Sequence, residues 1–153
     1  MPSGQRREKR LRILFVCLGN CCRSQMAEGL ARKIAPQYEI YSAGLLPAGF
    51  VSSQAISVMQ EEGIEIGDQE SKGLDAVDVD QMDVIVAMGG FPAADFVPRP
   101  QGKLVQEWDI EDPIGRDIGF YRKTRAQLAD KITRLLAELE GEFATKPQSH
   151  GGS

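Results

Sequence analysis

Residues 13–24, with the sequence ILFVCLGNCCRS, constrain the fold of this chain more than any other segment. The continuous apolar run from Ile13 to Val16 is typical of a strand buried in a parallel sheet. The chain then turns at Gly19 and Asn20, residue types that tolerate unusual backbone angles, so that successive N–H groups can converge on an anion. A helix is predicted to begin near Ser24, because apolar residues follow it at helical spacing: Met26, Ala27, Leu30, Ala31 and Ile34.

Cys17 and Arg23 bring a nucleophile and a cation to this loop. The N-terminus of the following helix offers unpaired N–H groups and the positive end of the helix dipole, and both favour negative charge. Arg23 adds a planar guanidinium that can bind two oxygens of a tetrahedral anion. We therefore expect Cys17 to be largely a thiolate at neutral pH. The alternative is an inert buried thiol at the end of a core strand, which describes most free cysteines.

Composition and charge fit a single domain. The chain has 153 residues, of which 42% are apolar, enough for one sizeable core. A net charge of -4 argues against nucleic-acid and membrane partners, and the locally basic stretch 6–12 is expected to be a solvated tail.

The charged N-terminus lacks a signal-peptide apolar region, and no stretch reaches the ~18 apolar residues of a membrane span. All three cysteines lie within residues 17–22, so an extracellular disulfide framework is excluded and a reducing cytoplasm is expected.

Strand and helix patterns alternate along the rest of the chain, which indicates a parallel sheet covered on both faces. Ser52 can cap a helix that carries Ala55, Ile56 and Met59. The other predicted elements are strands at 38–42, 83–88 and 103–105 and a terminal helix at 119–139.

One domain is expected over residues 11–142. A flexible basic tail is predicted at 1–10 and a disordered tail at 143–153. In open sheets of this class, ligands bind beyond the carboxyl ends of the strands, where the strand order reverses. The loop that begins at Cys17 follows such a strand end, so it is the predicted binding site.

A thiolate that attacks a phosphate ester needs a proton donor for the leaving group and later a base that activates water. Asp112 is the candidate, because Pro113 biases it away from helical angles and holds it in an extended loop. Asp109 and Asp117 are rival acids, and an ordinary surface turn is the alternative for Asp112. The only histidine, His150, lies in the glycine-rich C-terminal segment, so a cysteine–histidine pair of the protease type is not expected.

The stretch from Val16 to Glu28, VCLGNCCRSQMAE, resembles the signature of the low-molecular-weight protein tyrosine phosphatase family, which is related to thiol-dependent arsenate reductases. The likeness covers roughly residues 11–140, because further segments follow in the family's order: Ser42–Gly44, Ser71–Lys72 and Trp108–Pro113. The resemblance implies a flavodoxin-like, three-layer α/β/α fold with a four-stranded parallel sheet in the order 2-1-3-4. It also implies a cysteinyl-phosphate intermediate and no metal or other cofactor.

The resemblance assigns the catalytic roles to Cys17, Arg23 and Asp112. The phosphate-binding loop implied by the family consists of Leu18, Gly19, Asn20, Cys21, Cys22 and Arg23.

The family also assigns supporting roles within this segment. Ser24 would donate a hydrogen bond to Cys17, and Asn20 would brace the loop. The alternatives are an ordinary residue of the first helical turn for Ser24 and a simple left-handed turn residue for Asn20. Cys22 matches the second cysteine of the family loop, which can form a reversible disulfide with the nucleophile.

Two departures from the family leave the substrate open. Cys21 stands where tyrosine phosphatases of the family usually carry a larger aliphatic residue and related arginine phosphatases carry threonine. The alternative is that Cys21 is a packing residue or a chance substitution with no bearing on the substrate. Ile114 and Gly115 follow the Asp112–Pro113 pair, where tyrosine-specific members often have aromatic residues. Another wall for an aromatic ring could come from residues that are more often part of a core: Phe50, Phe91 and Phe120.

The sequence thus predicts a cytoplasmic phosphatase that hydrolyses phosphomonoesters, with protein phosphotyrosine as the first choice. Its partners would be a phosphorylated protein or a small phosphomonoester, with inorganic phosphate or other oxyanions in the loop. The alternatives are a protein-arginine phosphatase, an arsenate reductase that uses an external thiol, and a redox-sensing oxyanion-binding module without turnover. A reductase with an internal cysteine relay is not expected, because residues 88–96 contain no cysteine.

Overall fold

Four parallel strands form the centre of the computed structural model, which describes the backbone of residues 10–149 and the side chains of residues 10–141. The strands are paired in the order β2-β1-β3-β4. This confirms the flavodoxin-like parallel sheet predicted from the sequence. The strands are β1 (Arg12–Cys17), β2 (Glu39–Gly44), β3 (Val84–Met88) and β4 (Leu104–Trp108).

In the described part of the chain, two α-helices lie between strands and a third follows β4, and all three pack against the sheet. They are α1 (Arg23–Ile34), α2 (Ser53–Gln60) and α3 (Ile118–Ser149). Ser52 caps α2 as predicted, because its side-chain oxygen accepts a hydrogen bond of 3.3 Å from the Ala55 N–H. Within residues 10–149, no helix has both the length and the apolar character needed to cross a membrane.

The two faces of the sheet are covered differently. Ile13, Phe15 and Cys17 point from β1 into a core shared with the three α-helices. Leu14 and Val16 face the opposite side. Three short 3-10 helices and their loops contribute to the cover of that side: Leu74–Ala76, Val79–Gln81 and Ala93–Asp95. Because both faces of β1 are buried, its sequence is a continuous apolar run rather than an alternating one.

Several elements are longer than the sequence pattern indicates. β4 continues to Trp108 although Gln106 and Glu107 are polar, since β4 is an edge strand and these side chains retain access to solvent. The helix α3 continues beyond residue 142, into the segment predicted to be a tail. Arg10, assigned to the N-terminal tail, donates hydrogen bonds to the carbonyls of residues 36–38. Residues 1–9 and 150–153, which include the rest of the predicted tails and His150, lie outside the described residues.

The topology places the end of β1 at the centre of the molecule. β1 and β3 are the central pair of strands, and the chain leaves β1 toward β2 on one side of the sheet and leaves β3 toward β4 on the other. A crevice forms where neighbouring connections diverge in this way. Cys17 ends β1 and Arg23 begins α1, and the loop between them therefore lies at this crevice.

Candidate active site

The backbone of the loop between β1 and α1 is held through its carbonyl groups. N–H groups of the segment that follows β2 donate to loop carbonyls at 2.8–3.2 Å: Leu45 to Cys17, Leu46 to Leu18, Ala48 to Gly19 and Ser52 to Cys21. The remaining carbonyl, that of Asn20, accepts from the Gln25 side chain at 3.0 Å. By contrast, the N–H groups of residues 18–22 have no acceptor among the described residues. The loop therefore offers a set of unpaired donors to an anion.

Arg23 adds further donors to the loop. Its side chain is buried, and Nη1 donates to the Ile110 carbonyl at 2.9 Å while Nη2 lies 3.5 Å from Asp112 Oδ2. Its Nε is the one buried side-chain nitrogen or oxygen without a hydrogen-bond partner in the part of the chain that the structure describes. Buried donors are rarely left unpaired, because an unpaired donor loses its hydration without compensation. A tetrahedral oxyanion in the loop would satisfy this nitrogen and the loop N–H groups together.

Cys17 is buried and its sulfur lies 3.0 Å from Ser24 Oγ. The Asn20 side-chain amide donates to the same oxygen at 2.7 Å. The orientation of that amide is fixed, because Asn20 Oδ1 accepts from the Lys72 backbone N–H at 2.8 Å and a backbone N–H can only donate. Since Ser24 Oγ accepts from Asn20, its own hydrogen is available for the Cys17 sulfur.

Asn20 also connects the loop to the interior. Its φ of 49° is left-handed, which asparagine tolerates better than most residues. Its amide donates to Ser42 Oγ at 3.0 Å, and Ser42 donates to Glu28 Oε1 at 2.6 Å. Glu28 is itself buried and pairs with Arg32 at 2.6 Å.

The sequence pattern indicates no role for Ser42, Glu28 or Lys72, although all three lie in the segments that carry the family resemblance. The available signal for Glu28 is its spacing, because it lies four residues after Ser24 and therefore on the same face of α1.

The closeness of the loop backbone explains why β2 ends in a glycine, Gly44. A Cβ atom at this position would lie 2.8 Å from the Asn20 nitrogen and 2.8 Å from the Leu18 oxygen, closer than real Cβ contacts. These neighbours are backbone atoms of the anion-binding loop and cannot rotate away. The absence of a side chain at Gly44 thus allows β2 to approach the loop closely.

The three candidate acids differ in position. Asp112 lies beside Arg23, its side chain is 42% exposed, and its Oδ1 accepts from the Ile114 N–H at 3.1 Å. Asp117 caps α3 instead, because its Oδ1 accepts from the Phe120 N–H at 2.9 Å. Asp109 is exposed. Among the described residues, no cluster of three or more histidine, cysteine, aspartate or glutamate side chains is arranged to hold a metal ion.

The predicted aromatic wall residues lie in different surroundings. Phe50 is 54% exposed and therefore not a core residue. Phe91 packs against Phe96 with ring centroids 6.0 Å apart, and Phe120 lies under the Arg116 guanidinium.

Other large apolar side chains are exposed on the segments that border the loop. Leu18 belongs to the loop itself, Leu46 to the segment hydrogen-bonded to it, and Ile114 follows Asp112. Together with Phe50, which belongs to the same segment as Leu46, they form what we call the apolar rim: Leu18, Leu46, Phe50 and Ile114.

Cys21 and Cys22 contact each other through their sulfur atoms, which are 3.8 Å apart. A hydrogen bond from the Cys22 thiol lowers the pKa of Cys21 to about 7; burial and Asp112 oppose this effect, and Arg23 assists it. The same interaction and burial raise the pKa of Cys22 above its usual value. Cys22 also lies 3.7 Å from the hydroxyl of Tyr121, whose pKa is raised to about 12, chiefly by burial.

Comparison with known proteins gives one family for most of the chain. Residues 12–145 match the sequence profile described as low molecular weight phosphotyrosine protein phosphatase. The glutaredoxin arsenate reductase of Synechocystis is 32% identical over 130 residues, which cover 84% of this chain and 98% of that protein. Further relatives from Bacillus and Staphylococcus species are also named arsenate reductases.

Two solved structures with this fold carry other activities in their names. A low molecular weight protein tyrosine phosphatase from T. tengcongensis is 32% identical with a TM-score of 0.74, covering 84% of this chain and 99% of that one. A variant of an arginine phosphatase with a phosphorylated active-site serine is 27% identical with a TM-score of 0.76, covering 85% and 96%. The comparisons therefore agree on the family and differ in the substrate.

The lowered pKa of Cys21 predicts its reactivity. In a Cys17→Ser variant, alkylation of Cys21 by iodoacetamide should reach half its maximal rate near pH 7, because the reactive thiolate persists above the pKa and is protonated below it. Mass spectrometry of the alkylated peptide at a series of pH values measures this midpoint. Adding Cys22→Ala removes the thiol donor and should move the midpoint toward the ordinary value of about 8.5. A midpoint of about 8.5 with Cys22 present would contradict the assignment.

Proposed function

Because this chain belongs to the low-molecular-weight phosphotyrosine protein phosphatase family, we propose that it is an enzyme whose Cys17 thiolate attacks a bound tetrahedral oxyanion. The first candidate reaction is the hydrolysis of phosphate monoesters. The observation that carries it is the pairing of Arg23 with Asp112 at 3.5 Å, since it sets a carboxyl group beside the oxyanion donors. A carboxyl group at this position can give a proton to the leaving group. A site that only bound the oxyanion would not need such a proton donor.

The first step transfers the phosphoryl group to the enzyme. The loop N–H groups and the Arg23 guanidinium bind the phosphate oxygens, where negative charge accumulates in the transition state. The Cys17 sulfur attacks phosphorus, an S–P bond forms, and the bond from phosphorus to the ester oxygen breaks. Asp112 in its protonated form gives its proton to that oxygen as the alcohol leaves.

The second step regenerates the thiolate. Asp112, now a carboxylate, takes a proton from a water molecule that attacks phosphorus. The S–P bond breaks, and its electron pair returns to the Cys17 sulfur as inorganic phosphate forms. The Ser24 hydroxyl, 3.0 Å from that sulfur, stabilises the thiolate as leaving group.

The apolar rim supports an organic ester as substrate. Its exposed side chains belong to the loop, to the segment hydrogen-bonded to the loop and to the segment that carries Asp112, so they can contact the group attached to the phosphate. Phosphotyrosine is the predicted ester, and phosphoarginine is the alternative because an arginine phosphatase shares the fold. Ile114 takes the place of an aromatic residue next to Asp112–Pro113, so this wall offers no ring stacking.

Arsenate reduction is the second candidate, and the names of the curated relatives favour it over phosphotyrosine hydrolysis. In this reaction the Cys17 sulfur attacks arsenic and displaces water. An external thiol then attacks the Cys17 sulfur, arsenite leaves with the electron pair of the S–As bond, and a second thiol reduces the mixed disulfide. An external thiol is invoked because residues 88–96 contain no cysteine that could continue an internal relay. A redox-sensing module without turnover is disfavoured, since sensing does not need Asp112.

Substitution of the three acids tests the role of Asp112. Asp112→Asn should lower kcat for phenyl phosphate by about 10²–10⁴-fold, since the leaving group loses its proton donor. The loss should be smaller for p-nitrophenyl phosphate, whose leaving group needs less protonation.

Asp117→Asn is the matched control, because asparagine caps a helix about as well as aspartate and the variant keeps the fold. Asp109→Asn gives a second control at an exposed acid. Both should keep kcat within a few-fold of the parent. A loss in either control as large as that in Asp112→Asn would contradict the assignment.

A substrate comparison separates the two reactions. In metal-free buffer, the protein should hydrolyse an aryl phosphate without added thiol, and Cys17→Ser should not. Phosphotyrosine and phosphoarginine peptides then rank the esters, and arsenite is measured from arsenate with and without glutathione. Thiol-dependent arsenite release without ester hydrolysis would replace the first candidate by the second, and equal rates for parent and Cys17→Ser in both assays would contradict both.

A further inference from the structure

The neighbouring thiols of Cys21 and Cys22 have no role in either reaction above. The Cys22 sulfur lies 3.8 Å from the Cys21 sulfur and 3.7 Å from the Tyr121 hydroxyl, and the Ser52 side chain also acts on its thiol. The Cys17 sulfur contacts Ser24 instead. We propose that Cys21 and Cys22 are an oxidation site at which hydrogen peroxide forms a reversible disulfide between these two residues without participation of Cys17.

The two thiols differ in access to solvent. Cys21 retains 8% of its surface and Cys22 only 2%, so a peroxide reaches Cys21 first. The charged and titratable groups that act on Cys21 are Arg23, which favours the thiolate, Asp112, which opposes it, and the Cys22 thiol, which donates to it. Cys21 is therefore the attacking sulfur, and the buried Cys22 is the thiol that resolves the product.

The reaction balances with one peroxide. The Cys21 thiolate attacks one oxygen of hydrogen peroxide, the O–O bond breaks, and a sulfenic acid forms with release of water after protonation. The Cys22 sulfur then attacks the Cys21 sulfur, an S–S bond forms, and the sulfenic oxygen leaves as water with the thiol proton. In total, two thiols lose two hydrogens and one peroxide becomes two water molecules.

The position of Tyr121 supports the second half of this reaction. Ser52 Oγ donates to the Tyr121 oxygen at 3.2 Å, which leaves the phenol hydrogen available for the Cys22 sulfur. A donor at this place stabilises negative charge that develops on Cys22 when its proton departs. Tyr121 is buried and belongs to α3, so the donor is held in place by the core.

The disulfide would be strained and would act on the loop. Adjacent Cα atoms are about 3.8 Å apart across a trans peptide, and unstrained disulfides join Cα atoms about 4.4–6.8 Å apart. A strained disulfide is easily reduced, which suits a reversible modification. The bond must also reorient the peptide between the two residues, and the N–H of that peptide is one of the loop donors without a protein acceptor. Oxidation should therefore weaken oxyanion binding.

The test uses full-length Cys17→Ser, in which Cys21 and Cys22 are the only thiols. The variant is treated with hydrogen peroxide, alkylated with iodoacetamide and digested with trypsin, which releases all three loop positions in the peptide 13–23. We expect loss of two alkylation sites and of two hydrogen masses, and dithiothreitol should restore both sites. The assay needs no turnover, so its outcome is independent of the proposed reactions.

The matched control is Cys17→Ser combined with Cys21→Ser, which should form no internal disulfide. In the wild-type protein, fragment spectra should show a Cys21–Cys22 bond in molecules whose Cys17 remains alkylated, which covers the case that Cys17→Ser does not fold. A Cys17→Ser protein that stays doubly alkylated, or that acquires higher oxides on Cys21 with Cys22 free, would overturn the proposal. So would wild-type protein that contains only a Cys17–Cys22 bond.

Discussion

The hydrogen bonds that hold the carbonyl groups of residues 17–21 are the constraint on which the site depends. When the carbonyl of a peptide accepts a hydrogen bond from the surrounding structure, the N–H of the same peptide points to the opposite side. Here every carbonyl from Cys17 to Cys21 accepts a hydrogen bond from a donor outside the loop, so the N–H groups remain for a ligand. The segment after β2 supplies four of these donors, and it can lie against the loop backbone because β2 ends in Gly44.

Asn20 links this constraint to the nucleophile. Its left-handed backbone shapes the loop, and its amide directs the Ser24 hydroxyl toward Cys17. The same amide connects to the buried Ser42 and Glu28, which fixes the amide from the interior. Nucleophile, loop and core are therefore one hydrogen-bonded unit. A hydrogen-bond network of this kind stabilises the fold by more than the sum of its separate bonds only when every polar group in it has a partner.

Much of this arrangement could be predicted from local sequence. The run Ile13–Val16, the turn and the helix after Ser24 are consecutive, so their order alone brings a strand end, a loop and a helix N-terminus together. The order of the strands in the sheet was predicted from the family resemblance and not from the sequence pattern. Contacts across the sequence could not be predicted in the same way, since the Lys72 backbone reaches Asn20 from 52 positions away. The length of β4 was also missed, because polar residues are tolerated on an edge strand.

The covalent intermediate on Cys17 is the most direct test of the account. Rapid mixing of the wild-type protein with p-nitrophenyl phosphate, followed by quenching and mass spectrometry, should find a phosphoryl group on Cys17 together with a burst of nitrophenolate close to the enzyme concentration. Neither signal should be present in Cys17→Ser. Hydrolysis by Cys17→Ser at the rate of the parent, or a phosphoryl group on another residue, would contradict the assignment of Cys17 as the nucleophile.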